Sequence, residues 1–273
     1  MKHWTLDDIP WDRFEADKVD PQILQIMKGV SLVEHNGGDY ATYLCNVFHD
    51  DPDFQDQARA WAAEEVQHGR ALGHWATLAD PSFDFDAAFA RFVAGFRPDV
   101  EATDSIRGSR SGELVARCIV EVGTSSYYAA MAEACSEPVL KDVCKRIAAD
   151  ELRHYRMFYK ALKRYLDREG IGRLRRIAVA LGRIRESEDD ELAYAHFAAN
   201  GAAGETYDRQ RSSDLMHGIA FRHYRPKHVD RVVTMTLKAA GLNPQAAWAP
   251  WVSRLAYRLI RRRGAKTAQA LAA

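Results

Sequence analysis

Apolar positions in this chain recur every three to four residues over long stretches and almost nowhere alternate with a period of two. The first such stretch runs from about Pro21 to Asp50. It is opened by Asp20-Pro21, an acid suited to cap a helix followed by a proline suited to its first turn. A break at Asp50-Asp51-Pro52 leads into a second helical stretch that ends near Asp80-Pro81. A third begins near Ser111 and reaches the break at Ser136-Glu137-Pro138, and a fourth continues to about Glu169-Gly170. Short breaks within each pair predict two antiparallel helical hairpins. Residues 81–108, with Pro81, Pro98 and the patch Phe83, Phe85, Phe89 and Phe92, form one long connection between them. The pattern predicts an all-α protein whose core, about 21–170, is a four-helix bundle with one long crossover. The helical segments of about 171–273 are appendages, so residues 1–273 make a single domain.

Composition narrows the partners. The chain has 273 residues, enough to bury a large core without cross-links. Lysines and arginines number 38, and so do aspartates and glutamates, so overall charge points to neither nucleic acid nor a membrane. The four cysteines (Cys45, Cys118, Cys135, Cys144) contain no CxxC pair and lie in apolar helical pattern, which reads as reduced core thiols. Residues 1–20 are polar and carry Asp7, Asp8 and Asp12, unlike a secretory signal. No apolar run approaches the roughly 18 residues that span a bilayer. The expectation is a soluble, cytoplasmic protein that is not transmembrane.

The chemistry lies in glutamates and histidines. Only two of the ten histidines have a glutamate three residues upstream: Glu65-Val-Gln-His68 and Glu151-Leu-Arg-His154. Residues three apart share a helix face, so each pair can grip one metal ion. Glu34 and Glu121 precede these pairs by 31 and 30 residues, across the hairpin turns. At ~1.5 Å of rise per residue, all four positions lie roughly 22 Å from their turns, at a common depth. Two single-Glu helices and two Glu-x-x-His helices, all pointing inward, form the ferritin-like di-iron or di-manganese carboxylate pattern. Ile119, Val120 and Val122 around Glu121, and Leu32 and Val33 before Glu34, make uncompensated carboxylates costly there, and a metal pair neutralises them. Mixed carboxylate and imidazole donors suit iron or manganese, with iron favoured for O2 chemistry. Glu64 and Asp150, each four residues before a ligand histidine, are candidates to orient an imidazole.

Two motifs resemble those of the soluble acyl-carrier-protein desaturases. The segment Arg59-Ala-Trp-Ala-Ala-Glu-Glu-Val-Gln-His-Gly69 is similar to that family's RAWTAEENRHG, and Ile147-Ala-Ala-Asp-Glu-Leu-Arg-His154 to its IAADEKRH. The resemblance covers about 60–75 and 118–165, and the first helix only through Glu34. It implies metal ligands at Glu34, Glu65, His68, Glu121, Glu151 and His154. The family's threonine facing the oxygen side of the metals falls on Thr124. That residue shares the face of Glu121, and its hydroxyl can point toward the metals or bond its own backbone. Gln67 stands where the family has arginine and Tyr155 where it has glutamate, and the chain is shorter, which leaves substrate and reaction open.

The resemblance implies an oxygen-dependent oxidoreductase, a desaturase or oxygenase, acting on a fatty acyl or similar long apolar substrate. Two Fe ions would react with O2 as co-substrate, and an external donor such as a ferredoxin would return electrons. Two helical stretches are basic and acid-free: Ile171–Arg185, with Arg173, Arg175, Arg176, Arg183 and Arg185, and Trp251–Thr267, with Arg254, Arg258, Arg261, Arg262, Arg263 and Lys266. They read as docking surface for an acidic acyl carrier protein, as contact with an anionic membrane surface, or as solvated faces. Pairing of two copies as a homodimer is compatible with the sequence. The competing readings are iron handling by a ferroxidase or store, a rubrerythrin-like peroxidase, and oxygenation of a non-acyl small molecule. About 100 residues beyond Gly170 argue against a storage cage, and the lack of CxxC against the peroxidase.

Overall fold

The computed structural model describes residues 3–186, 190–202 and 204–272, with side chains through Ala265 apart from residue 190. Among the described residues there is no strand. Three short 3-10 turns precede the bundle, whose helices are α1 (Pro21–His35), α2 (Gly37–Val47), α3 (Pro52–Ala79), α5 (Arg110–Ala134) and α6 (Pro138–Glu169), with α4 (Phe85–Gly95) in the crossover.

Every bundle helix except α2, which restarts after Asn36 without a side-chain cap, begins where a side chain satisfies its free amides. Asp20 accepts from the Gln22 and Ile23 amides, Asp51 from Phe54, Ser109 from Gly112, and Glu137 from Val139 and Leu140. Such caps stabilise a helix by about 1 kcal/mol each. Pro21, Pro52 and Pro138 occupy first-turn positions that need no amide hydrogen. α6 stops at Gly170, whose φ of 66° is the left-handed conformation that glycine adopts without a Cβ clash.

Two caps also brace the bundle ends. Asp51 accepts from the Tyr165 hydroxyl at 2.7 Å and from Arg164 at 2.5 Å, near the end of α6. Glu137 accepts from the Trp75 indole at 2.8 Å, near the end of α3. The two hairpin turns therefore lie at opposite ends. Equal distance from a turn gives a common depth only because each ligand also lies near the middle of the bundle.

The first long helix is broken rather than continuous. It ends at His35 and restarts at Gly37, with Asn36 between. The cause is a close backbone approach to α3: a Cβ on Gly37 would lie 2.7 Å from that of Glu65, and one on Gly69 would overlap the His35 backbone. The crossover, expected as a connection, contains α4, capped by Asp84. Its Phe92 and Ala88 are buried, and the rings of Phe85 and Phe89 meet His35 edge-on at 5.2 and 4.6 Å.

Apolar core fills the bundle on both sides of the mid-depth layer. One cluster includes Ile26, Met27, Trp75, Leu140 and Val143, and the other Phe48, Phe54, Trp61, Phe158 and Leu162. Each such side chain contributes roughly 1.5–3 kcal/mol by leaving water. Cys118, Cys135 and Cys144 are buried and all four cysteines are free, matching the reading as core thiols.

The appendages are α7 (Arg173–Glu186), α8 (Asp190–Asn200), α9 (Arg209–Arg222), α10 (Pro226–Ala239) and α11 (Ala249–Ala272). α7 and α10 pack on α5, α8 on α1 and α4, and α9 on α8 and α11. The arginines of α7 do not form one outward basic face. Arg176 and Arg183 are half-buried, while Leu174 and Leu181 point outward, 84% and 62% exposed. On α11, Arg254, Arg258, Arg261 and Arg262 are exposed beside the exposed Trp251 and Leu255, and the Lys266 and Thr267 side chains lie outside the described ones. No helix among the described residues is long and apolar enough to cross a membrane.

Candidate metal centre

Glu34 is in the last turn of α1, and Glu65 and His68 lie mid-α3. Glu121 lies mid-α5, and Glu151 and His154 mid-α6. All six are buried, and the structure brings them into two overlapping groups. One contains Glu34, Glu65, His68 and Glu151; the other contains Glu65, Glu121, Glu151 and His154. Within each, one ligand atom per residue lies within 4.8 Å of the others. Glu65 and Glu151 belong to both groups.

Both imidazoles aim Nδ1 at the centre. His68 Nδ1 is 3.2 Å from Glu151 Oε1 and 3.5 Å from Glu34 Oε2. His154 Nδ1 is 3.0 Å from Glu65 Oε1 and 3.5 Å from Glu121 Oε2. Their Nε2 atoms face outward onto carboxylates, but not those of their own helix. Asp150 of α6 supports His68 of α3 at 3.1 Å, and Glu64 of α3 supports His154 of α6 at 2.6 Å. Such outer carboxylates fix which ring nitrogen faces a metal. The exchange has a simple cause: an acid one turn behind an inward histidine points to the helix flank, where the neighbour's imidazole emerges.

Arg153 ties the two acids together, donating to Glu64 at 3.0 and 2.9 Å and to Asp150 at 2.6 Å. Trp4 adds an indole donor to Asp150 at 2.7 Å and stacks on His68, while His3 pairs with Asp150 at 2.9 Å. Inside the layer, Tyr128 donates to Glu34 Oε1 at 2.5 Å. The Thr124 hydroxyl lies 2.7 Å from Glu151 Oε2 and also within reach of the Val120 and Glu121 carbonyls. It therefore faces the ligand layer while keeping the backbone contact open to a helical threonine.

So many acids in one dry layer cannot all ionise unaided. Burial, then the charges of Glu151 and Glu34, push Glu65 well above the usual carboxylate range. Burial pushes Glu121 up to about 8. Burial also opposes the charged form of Glu151, but contacts with His154 and His68 outweigh it and hold that group low. At Glu64 the pairing with His154 and Arg153 likewise overcomes burial and holds the carboxyl at about 2.

Each of the six residues presents one buried atom with no hydrogen-bond partner: Glu34 Oε2, Glu65 Oε1, His68 Nδ1, Glu121 Oε2, Glu151 Oε1 and His154 Nδ1. Orphaned buried polar atoms cost about 1–3 kcal/mol each, more when charged. Six of them converging on two points fit a pair of cations. The donor set, four carboxylates and two imidazoles, suits iron or manganese.

Sequence reasoning missed Tyr128, Trp4, His3 and Arg153. Tyr128 carried a signal, since it lies seven residues after Glu121 on the same helix face. The N-terminal residues carried none, because His3 and Trp4 precede the first 3-10 turn and nothing local fixes where such an irregular segment docks.

Fold and site together define a ferritin-like protein with a buried carboxylate–histidine cluster that could hold metal. Residues 48–222 match the fatty acid desaturase family, and the chain belongs to it. A similar solved structure is DesA2 from Mycobacterium tuberculosis, provisionally assigned as an acyl-ACP desaturase. It is 19% identical, with a TM-score of 0.53 over 91% of this chain and 89% of that one, a likeness of fold. No curated protein matches this chain.

Proposed function

We propose that this protein is an oxygen-dependent di-iron oxidoreductase that attacks an unactivated C–H bond of a fatty acyl or similarly apolar substrate. The observation that carries this reading is the set of six orphaned ligand atoms converging on two points inside a desaturase-family fold. Glu34 and His68 would hold one iron, Glu121 and His154 the other, and Glu65 and Glu151 would bridge both. When bound, the iron pair supplies reduction of O2 and the oxidising power for C–H cleavage.

The chain's own residues do the rest. Asp150 and Glu64 keep the Nε2 side of each imidazole engaged, leaving Nδ1 for metal. Tyr128 fixes the Glu34 carboxylate, and Thr124 orients Glu151 from the side a reactant would occupy. The apolar clusters on either side of the layer keep bulk water away. Desaturation removes two hydrogens and gives two waters from O2; oxygenation inserts one oxygen and gives one water. Either draws two electrons from a donor, for which a ferredoxin-like protein is the expected source. Exposed arginines on α11, rather than the divided set on α7, offer the surface for an acidic carrier protein.

The test is to mix diferrous protein, reduced ferredoxin, O2 and a long-chain acyl substrate on its carrier or as the free acid. Oxygen consumption coupled to an altered acyl product supports the reading. Loading of iron far beyond two per chain as mineral, without organic product, overturns it in favour of an iron store.

A further inference from the structure

We propose that the outward face of α6 is the docking surface for an acidic, one-electron iron–sulfur protein, which delivers electrons beside the ligand histidines. The inference rests on the di-iron reading and gives its electron donor a place on the molecule, leaving α11 to the carrier.

Lys145, Arg153, Arg156, Lys160 and Lys163 are all exposed. Steps of three, four and eleven residues keep them on one side of the helix, in a stripe about 27 Å long. The acids of α6 are directed elsewhere or engaged. Asp150 and Glu151 are buried, Asp142 is bonded to Arg146, and Glu169 accepts amides at the start of α5. Asp167 shares the face only at its C-terminal end. Lys145, Arg156 and Lys160 have no ion pair among the described residues, and Lys163 stands over the Tyr159 ring at 5.6 Å. Along the sequence the stripe is hidden, because these inward acids alternate with the outward bases.

What lies beneath the stripe sets it apart from the other basic surfaces. Arg153, its member at the depth of the ligands, donates to both Glu64 and Asp150. Glu64 Oε2 is 2.6 Å from His154 Nε2, and Asp150 Oδ2 is 3.1 Å from His68 Nε2. From this surface, one carboxylate and one imidazole lead to either metal position. Helix α11 has no comparable connection, since it packs on α9 and α10.

Electron tunnelling falls steeply with distance, so a donor gains most by docking where the path to the ligands is shortest. An acyl chain gains nothing there, because the ion pairs of Arg153 close the flank between α3 and α6. Fixed positive charge selects an acidic partner and speeds its encounter. In each encounter the donor's reduced cluster loses one electron and one ferric ion becomes ferrous. Two encounters supply the two electrons of a turnover.

The test uses the iron-loaded full chain and a plant-type two-iron, two-sulfur ferredoxin. Calorimetry should show saturable binding that weakens about ten-fold between about 50 and 300 mM salt, as exposed charges are screened. The double variant Arg156→Glu, Lys160→Glu should bind ferredoxin about ten-fold more weakly. Stopped-flow reduction of its diferric centre by reduced ferredoxin should slow by a similar factor. Its iron content, and its reduction by dithionite, which needs no docking surface, should be unchanged. Lys145→Glu with Lys163→Glu gives a second reading should the first variant be unstable. The same reversal at Arg258 and Arg262 of α11 should leave ferredoxin binding as it was. No saturable ferredoxin binding, no loss in the α6 variants, or an equal loss in the α11 variant overturns the proposal. So does a matching loss of dithionite reduction, which would mean a disturbed metal site. If the α6 variants lose acyl carrier protein or anionic phospholipid vesicles instead of ferredoxin, the stripe serves that partner and the proposal falls. Elemental analysis reads the metal assignment separately, because ferredoxin binding can be measured on a chain without iron.

Discussion

The two helical hairpins contribute the same set of candidate ligands, two glutamates and a histidine each, but support it differently. In the second, α5 and α6 are continuous through the ligand layer, and Glu121 sits mid-helix among buried neighbours. In the first, the helix breaks at Asn36, only two residues beyond Glu34. There the carboxylate comes from a helix end, and the second hairpin holds it through Tyr128. The imidazoles differ likewise. His68 is backed by Asp150, which Trp4 and His3 of the N-terminal segment also hold, whereas His154 is backed by Glu64; Arg153 joins both acids. Equivalent ligands therefore need not be equally secure: a position built on a helix end depends on residues far away in sequence.

The largest expected effect tests the shared core of both positions. Glu65→Ala or Glu151→Ala removes a carboxylate common to both groups, so iron should fall from about two per chain to one or none, with activity undetectable. Glu34→Ala and Glu121→Ala each touch one group and should leave about one iron. Elemental analysis after reconstitution decides it. Full iron in both bridging variants would break the assignment, and equal behaviour of all four would remove the distinction between bridging and single-site acids.

The six clustered residues were legible as a candidate ligand set because their spacing is periodic. Glu-x-x-His lies on one helix face, and the hairpin turns are punctuated by Asp51-Pro52 and Glu137-Pro138. What decides the asymmetry was not legible, since it arises between helices. The Asn36 break needs the approach of Gly37 to Glu65, a tertiary fact, although Gly37-Gly38 hinted at it. Glu64 and Asp150 were readable as supports, but spacing within a helix says nothing of which helix they serve. Helix α4 had its signals, with Asp84 before the spacing Phe85, Phe89, Phe92, and two flanking prolines masked them. Arg183 looked like part of a basic surface because charge along a sequence does not report the side on which a helix packs.

A smaller effect sharpens the contrast between the two imidazole supports. Asp150→Asn and Glu64→Gln should each weaken metal binding by roughly 10–100-fold, the usual cost of losing an outer carboxylate. The Asp150 variant should be the worse, because it also releases Trp4 and His3. Tyr128→Phe should lose about 1–3 kcal/mol, the range for a buried hydrogen bond, and selectively weaken the position built on Glu34. Competition with a metal chelator measures all three. Equal losses for Asp150→Asn and Glu64→Gln, with no effect of Tyr128→Phe, would mean that the two hairpins hold metal alike.

The smallest expected effect lies away from the ligands, at the far end of the first hairpin. Lys28 of α1 is mostly buried and donates to Asp80, just past the end of α3, at 2.5 Å. Hydrogen bonds from Lys28 and Ser82 hold the Asp80 carboxyl at about 2, below its ordinary 3.8. A carboxyl depressed in the folded state binds fewer protons there than in the unfolded chain. Its contribution is therefore complete above about 3.8 and is lost as pH falls toward about 2. The pair is partly exposed, so its worth is of order 1 kcal/mol or less. Urea unfolding of Asp80→Asn should show a small deficit against the parent chain at pH 6 that shrinks as pH falls below about 4. A deficit that stays constant with pH would mean that Asp80 acts through its turn geometry rather than its charge. The first hairpin would then be held at that end by packing and by Ser82, not by an ion pair.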